Sequence, residues 1–141
     1  MNSDLRLEFK LNVPNAIITQ GNFRFLNIYS VNIIPSFSWL AREKRQYDLE
    51  FNFPYSKNVE TKVNLPNDRY VIKDLPSNYF DRENGISFKK NYQTISSNGF
   101  SCDEIFSISS KDIKAKHFDA VKNFVNNIKN NLNEKIILTS K

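Results

Sequence analysis

Apolar and polar residues alternate most strictly near the start of the chain. Leu5, Leu7, Phe9, Leu11 and Val13 are interleaved there with Asp4, Arg6, Glu8, Lys10 and Asn12. A period of two puts every apolar side chain on one face, so the spacing predicts a strand with one dry side, ended by Pro14-Asn15. Ala16 to Thr19 reads as a brief strand before a turn at Gln20-Gly21-Asn22, and Phe23 to Ile34 is apolar-rich and β-prone until Pro35 stops it. Phe37, Trp39 and Leu40 make a short alternating piece. Tyr47, Leu49, Phe51 and Phe53 alternate with Asp48, Glu50 and Asn52, and Val59, Thr61, Val63 and Leu65 with Glu60, Lys62 and Asn64. Tyr70 to Leu75 is a further strand, ended by Pro76. Glu83-Asn84-Gly85 signals a hairpin with Ile86 to Tyr92 returning from it, and Asn98-Gly99 repeats the signal ahead of Phe100 to Ile108. Strands recurring every 8 to 12 residues or so, with turn residues between them, favour an antiparallel sandwich or barrel.

The period then changes. Phe118, Val121, Phe124, Val125, Ile128 and Leu132 follow helical spacing and give one apolar stripe, with lysines and asparagines on the wet face. Ser110 or Asp112 is the expected N-cap. An amphipathic helix of this kind must lie against a sheet, and Ile136 to Leu138 returns to that sheet as a last strand. The fold expected is mainly β with one C-terminal α-helix, an antiparallel sandwich-like arrangement with the helix packed on a sheet. It forms a single domain over 1–141: strands within about 4–108, the helix about 112–132, a final strand about 135–139.

Composition narrows the functional classes. The 141 residues include only 3 Gly, too few for a phosphate-cradling loop, and 12 Phe, which suits one aromatic-rich core. A net charge of +5 is spread along the chain and interleaved with acids, the densest group being Arg42, Lys44 and Arg45. Nucleic-acid sites cluster their basic residues, so this distribution reads as solvated surface and no nucleic-acid partner is expected. No stretch approaches the roughly 20 apolar residues of a membrane span, and the opening residues lack the apolar core of a signal peptide.

One cysteine, Cys102, excludes an intrachain disulfide, and with the single His117 it cannot build a zinc tetrahedron; no metal or cofactor is expected. Cys102, His117 and Asp103 or Asp119 are the only possible nucleophile set. The cysteine, however, falls in a strand, not at a helix N-terminus where the dipole favours thiolate, so it reads as a small buried residue and no catalytic group is assigned. Asp103-Glu104 and Asp81-Arg82-Glu83 read as turn and surface groups, since neighbours on a strand face opposite ways. Phe23 with Phe25, and Phe51, Phe53 and Tyr55 with Tyr47, share faces that would serve a core or a partner groove; core packing is the simpler assignment. Trp39, beside Arg42 and Arg45, and Tyr55 are the expected contact residues.

An ordered series of motifs carries a family resemblance. It comprises Arg45, Tyr47 to Tyr55, Val59 to Pro66, Tyr70-Val71 leading to Leu75-Pro76, and Gly85-Ile86-Ser87-Phe88. The helix around Phe118, Phe124 and Ile128 and the tail Lys135-Ile136-Ile137-Leu138 complete it. Over about two-thirds of the chain this series resembles the C-terminal β-rich domain of unknown function that follows the transglutaminase-like core in bacterial multidomain proteins. Lys116-His117-Phe118 stands where that family often has Pro, an acid and Tyr. The resemblance implies a periplasmic or cell-envelope setting, a transglutaminase-like core as partner, and no activity of its own. A free-standing protein- or glycan-binding module is the alternative reading, and a Cys-dependent hydrolase a third.

Overall fold

The computed structural model describes residues 16–28, 33–34, 43–66 and 68–140. The expected strand at 4–13, the piece around Phe37 and the contact residues Trp39 and Arg42 lie outside them. The described chain forms ten strands and one α-helix: β1 (Ile17–Gln20), β2 (Phe23–Asn27), β3 (Leu49–Glu50), β4 (Tyr55–Asn64), β5 (Tyr70–Asp74), β6 (Tyr79–Glu83), β7 (Ile86–Ser96), β8 (Gly99–Ile108), β9 (Asp112–Ile113), α1 (Phe118–Leu132) and β10 (Lys135–Ser140). All pairings are antiparallel. One four-stranded sheet has the order β1-β2-β10-β5 and the other β4-β8-β7-β6, with β3 and β9 as a small ribbon beside them. The mainly β fold with a C-terminal helix is thus as expected.

Turn chemistry sets the hairpins. Asn84 and Gly85 both take positive φ (46° and 79°), as a two-residue primed turn requires between twisted strands. Gly85 also has no room for a side chain, because a Cβ there would sit 2.4 Å from Cβ of Ser110. The second turn falls one residue before its sequence signal. Ser96 pairs with Gly99, so Ser97 and Asn98 form the loop, and Gly99 opens β8.

The β4–β8–β7–β6 sheet has one inner face, and two different covers share it. On β7 and β8 that face runs, pair by pair, Ile86 with Ile108, Phe88 with Phe106, Lys90 with Glu104, and Tyr92 with Cys102. The first two pairs meet Phe118, Val121, Phe124, Val125 and Ile128 of α1, with Ile33, Leu49 and Ile113 closing the sides. Beyond the charged pair, Tyr92, Phe100 and Cys102 meet Leu26 of β2 and Ile136 and Leu138 of β10, so the second sheet lies over this half as in a sandwich.

Four expectations need correction. The last strand does not return to the sheet that carries the helix: β10 lies between β2 and β5 in the other one. The pattern from Tyr47 to Phe53 is not one strand. Pairing there is limited to Leu49 and Glu50, with Leu49 buried and Tyr47 and Phe53 exposed, so the four aromatics do not form a ladder. Ser110 and Asp112 do not cap the helix. A 3₁₀ turn at Ala115–His117 precedes α1, whose N-cap residue, His117, makes no side-chain cap bond. The N–H of Ala115 instead donates to Asp48, 67 residues earlier in the chain, at 2.8 Å. Finally, Glu104 is no surface group: only 2 % of it is exposed.

Candidate interaction surface

Among the described residues, Cys102 and the Lys90–Glu104 pair are buried within the scaffold. Cys102 is 1 % exposed, and burial, reinforced by the negative charge of Glu104, pushes its thiol up to about 11. It therefore stays protonated near neutrality and is a poor nucleophile. His117 lies at the start of α1, on the helix-covered half, whereas Cys102 belongs to the core under the second sheet; the thiol–imidazole pair considered from sequence is not part of one cluster. Among the described residues no three His, Cys, Asp or Glu side chains converge as metal ligands, and no helix is long and apolar enough to cross a membrane.

Lys90 and Glu104 sit opposite each other on the inner face. Their side chains approach to 3.5 Å, and the Lys90 ammonium also donates to the carbonyl of Asn131 at 3.5 Å and lies over the Tyr92 ring. A pair this deep loses its hydration and holds because each charge compensates the other. The contact to Asn131 satisfies one of the carbonyls that the last turn of a helix leaves open. Burial also raises the Tyr92 hydroxyl above its ordinary value, with the charges of Glu134 and Glu104 adding to the effect. This group is architectural: it joins two cores.

The outer face of the second sheet is different in kind. Ile18 pairs with Phe25, and Phe25 with Ile137, so three apolar side chains stand in one row across β1, β2 and β10 on the side away from the core. Phe23 extends the row, its ring centroid 6.4 Å from that of Phe25. Ile18 is 43 % and Phe23 45 % exposed. The ammonium of Lys73 lies 5.0 Å from the Phe23 centroid and that of Lys135 5.5 Å from the Phe25 centroid, so two cations edge the aromatic surface. Phe23 and Phe25 thus share a face as expected, but it is not the core face. Ile18, Ile137, Lys73 and Lys135 were missed from sequence because they come from three strands far apart in the chain. Only the pairing of β10 between β2 and β5 brings them together.

Of the contact residues expected from sequence, Arg45 is used within the fold. Its guanidinium donates to the Tyr47 carbonyl at 3.3 Å and lies 6.0 Å from the Phe118 centroid. Tyr55 stacks edge-on against Phe106. Lys44, Arg45, Gln46 and Tyr47 line an open hollow of about 260 Å³. A larger one of about 520 Å³ lies beside the β6–β7 hairpin, between Phe80, Arg82, Ser87 and Ser109.

Fold and surface define a mainly antiparallel β domain, closed by one helix and carrying an outward apolar face. The chain belongs to DUF3858, a family described as a domain of unknown function with solved structure, whose model matches residues 24–138. No curated protein and no solved structure matches the chain.

Proposed function

We propose that this domain is a non-catalytic interaction module that packs on a transglutaminase-like core in a bacterial envelope protein, through the outer face of the β1-β2-β10-β5 sheet. The observation that carries the reading is the row Ile18–Phe25–Ile137 with Phe23 beside it, an apolar surface on the face turned away from the core, with Ile18 and Phe23 exposed. Contiguous exposed apolar surface of this kind marks contact sites, and rigid strands spare the partner the cost of ordering it. Lys73 and Lys135 suit a partner surface that sets carboxylates around an apolar centre. The buried thiol and the internally matched Lys90–Glu104 pair support the non-catalytic part of the reading. The core partner and the envelope setting rest on the ordered motif series from Arg45 to Leu138.

Calorimetric titration of the domain into the separately produced transglutaminase-like core tests the proposal. Association is expected, weakened roughly tenfold or more by Phe23→Ala combined with Ile18→Ala, since a few central residues carry most of an interface's energy. Both side chains are already substantially exposed, so circular dichroism should show the fold unchanged. Absence of association, or equal binding by the double variant, would overturn it.

A further inference from the structure

The two sheets end in strands of very unequal length. β1, β5 and β6 span four or five residues, whereas β4 runs for ten from Tyr55 to Asn64. It pairs with β8 residue for residue from Tyr55–Ile108 to Asn64–Gly99 with no register shift. Among the described residues β8 is its only strand neighbour. A long, regular edge with no proline or bulge offers a ready ladder of N–H and C=O groups, which proteins ordinarily blunt.

The sequence of this edge matches itself when reversed. In an antiparallel pairing of two copies centred on Thr61, Glu60 of each copy faces Lys62 of the other, and Asn58 faces Asn64. On the inner face Val59 faces Val63, and Thr61 faces Thr61. Glu60 and Lys62 share the outer face and are already 2.8 Å apart within one chain, both well exposed, so cross-strand partners would turn each pair into a four-charge network. Charge also excludes the neighbouring registers. Centring the pairing on residue 60 sets glutamate against glutamate, and centring it on residue 62 sets lysine against lysine. Each of these registers is two-fold symmetric, and of the three only the one centred on Thr61 is attractive at both charged positions.

We propose that β4 is a self-complementary edge at which two copies of this chain join about a two-fold axis at Thr61, fusing two four-stranded sheets into one continuous sheet. The contact is small and mostly backbone, so the dimer is weak, with a dissociation constant on the order of micromolar to millimolar. It leaves the outer face of the β1-β2-β10-β5 sheet free, so it stands or falls separately from docking on a core.

Sedimentation velocity on the full chain, from about 10 µM to about 1 mM, tests it. A concentration-dependent dimer, weakened by salt, is expected. Glu60→Lys makes both positions basic and Lys62→Glu makes both acidic, and each alone should weaken self-association by roughly tenfold or more. The decisive arm mixes the two single variants. The basic edge meets the acidic edge in the same register, and a heterodimer should form where neither variant pairs with itself. The double variant Glu60→Lys/Lys62→Glu should dimerise like the unmodified chain. A monomer at every concentration overturns the proposal, as does a dimer insensitive to both reversals or a mixture that stays monomeric. A monomer whose outward β4 amides resist hydrogen exchange also overturns it, and would assign the edge to another segment of the same chain.

Discussion

The two halves of the β7–β8 inner face use the same pair of strands but are covered differently. Under α1 the buried side chains are apolar: Ile86, Phe88, Phe106 and Ile108 against five buried helix residues. Under β2 and β10 the strands present a phenol, a thiol and Phe100, and the cover is a second sheet. A helix and a sheet do not stand at the same height on a strand surface, since stacked sheets sit about 10 Å apart while helix axes pack at a distance set by their side chains. The change of cover falls at Lys90 and Glu104. There the ammonium meets the end of the helix at Asn131, and within four residues the chain re-enters as β10. The buried pair therefore marks the position at which one cover must stop and the other begin.

Removing a large side chain on either side of the pair tests whether the halves are one unit. Phe106→Ala on the helix side and Phe100→Ala on the sheet side should each cost about 3–5 kcal/mol in urea unfolding, as Phe truncations in a close-packed core do. Because β7 and β8 run through both halves, each variant should unfold in one transition and accelerate hydrogen exchange in both. Two separate transitions would show that the halves are independent.

Breaking the boundary should come next in size. Lys90→Met leaves Glu104 in a dry site and should cost about 3 kcal/mol, whereas Lys90→Met combined with Glu104→Leu should recover most of that loss. A double variant as unstable as the single one would mean that the charges do more than compensate each other. In that case the exact placement of the helix end would depend on them, which the amide exchange of Asn131 to Glu134 would reveal.

Sequence made the helix side more legible than the sheet side. The stripe from Phe118 to Leu132 and the alternation of Val59 to Leu65 are local patterns, and local periodicity is what a helix or a half-buried strand must have. The hairpin at Asn84-Gly85 was readable because only certain residues take two consecutive positive φ values. The outer row Ile18–Phe25–Ile137 was not readable, since its members come from strands whose order depends on long-range pairing. The burial of Glu104 was hidden for a similar reason: on β8 it looks like any other acid, and only its register opposite Lys90 makes burial tolerable. The cap from Asp48 to Ala115 spans too much chain for a local capping rule to find.

The smallest expected effect concerns that cap, which holds the start of the helix half. The Ala115 N–H, and next the Lys114 ammonium at 2.9 Å, hold the Asp48 carboxyl below its ordinary value of 3.8. A carboxyl whose pKa is lowered by folding stabilises the fold above its unfolded value, and loses that contribution as the pH falls through the folded one. Asp48→Asn should accordingly be modestly less stable than the unmodified chain at pH 7. The difference in melting temperature should shrink as the pH falls from about 4 and vanish below the lowered folded value, where the unmodified carboxyl is protonated too. A gap that persists at low pH would assign the effect to packing and not to charge.

The place of β10 in the β1-β2-β10-β5 sheet has a consequence for how the molecule is made. It is an inner strand, yet it comes after every other element described, so during synthesis β2 and β5 wait without the strand that lies between them. Contacts of such long sequence separation form slowly, because the loop they close must be ordered first. Until the residues beyond 134 have left the ribosome, Leu26 and Phe100 have no Ile136 or Leu138 to meet, and the sandwich half cannot close. A nascent chain stalled short of that point would expose apolar surface that the finished domain buries, and it is at that stage that this protein would most need a chaperone.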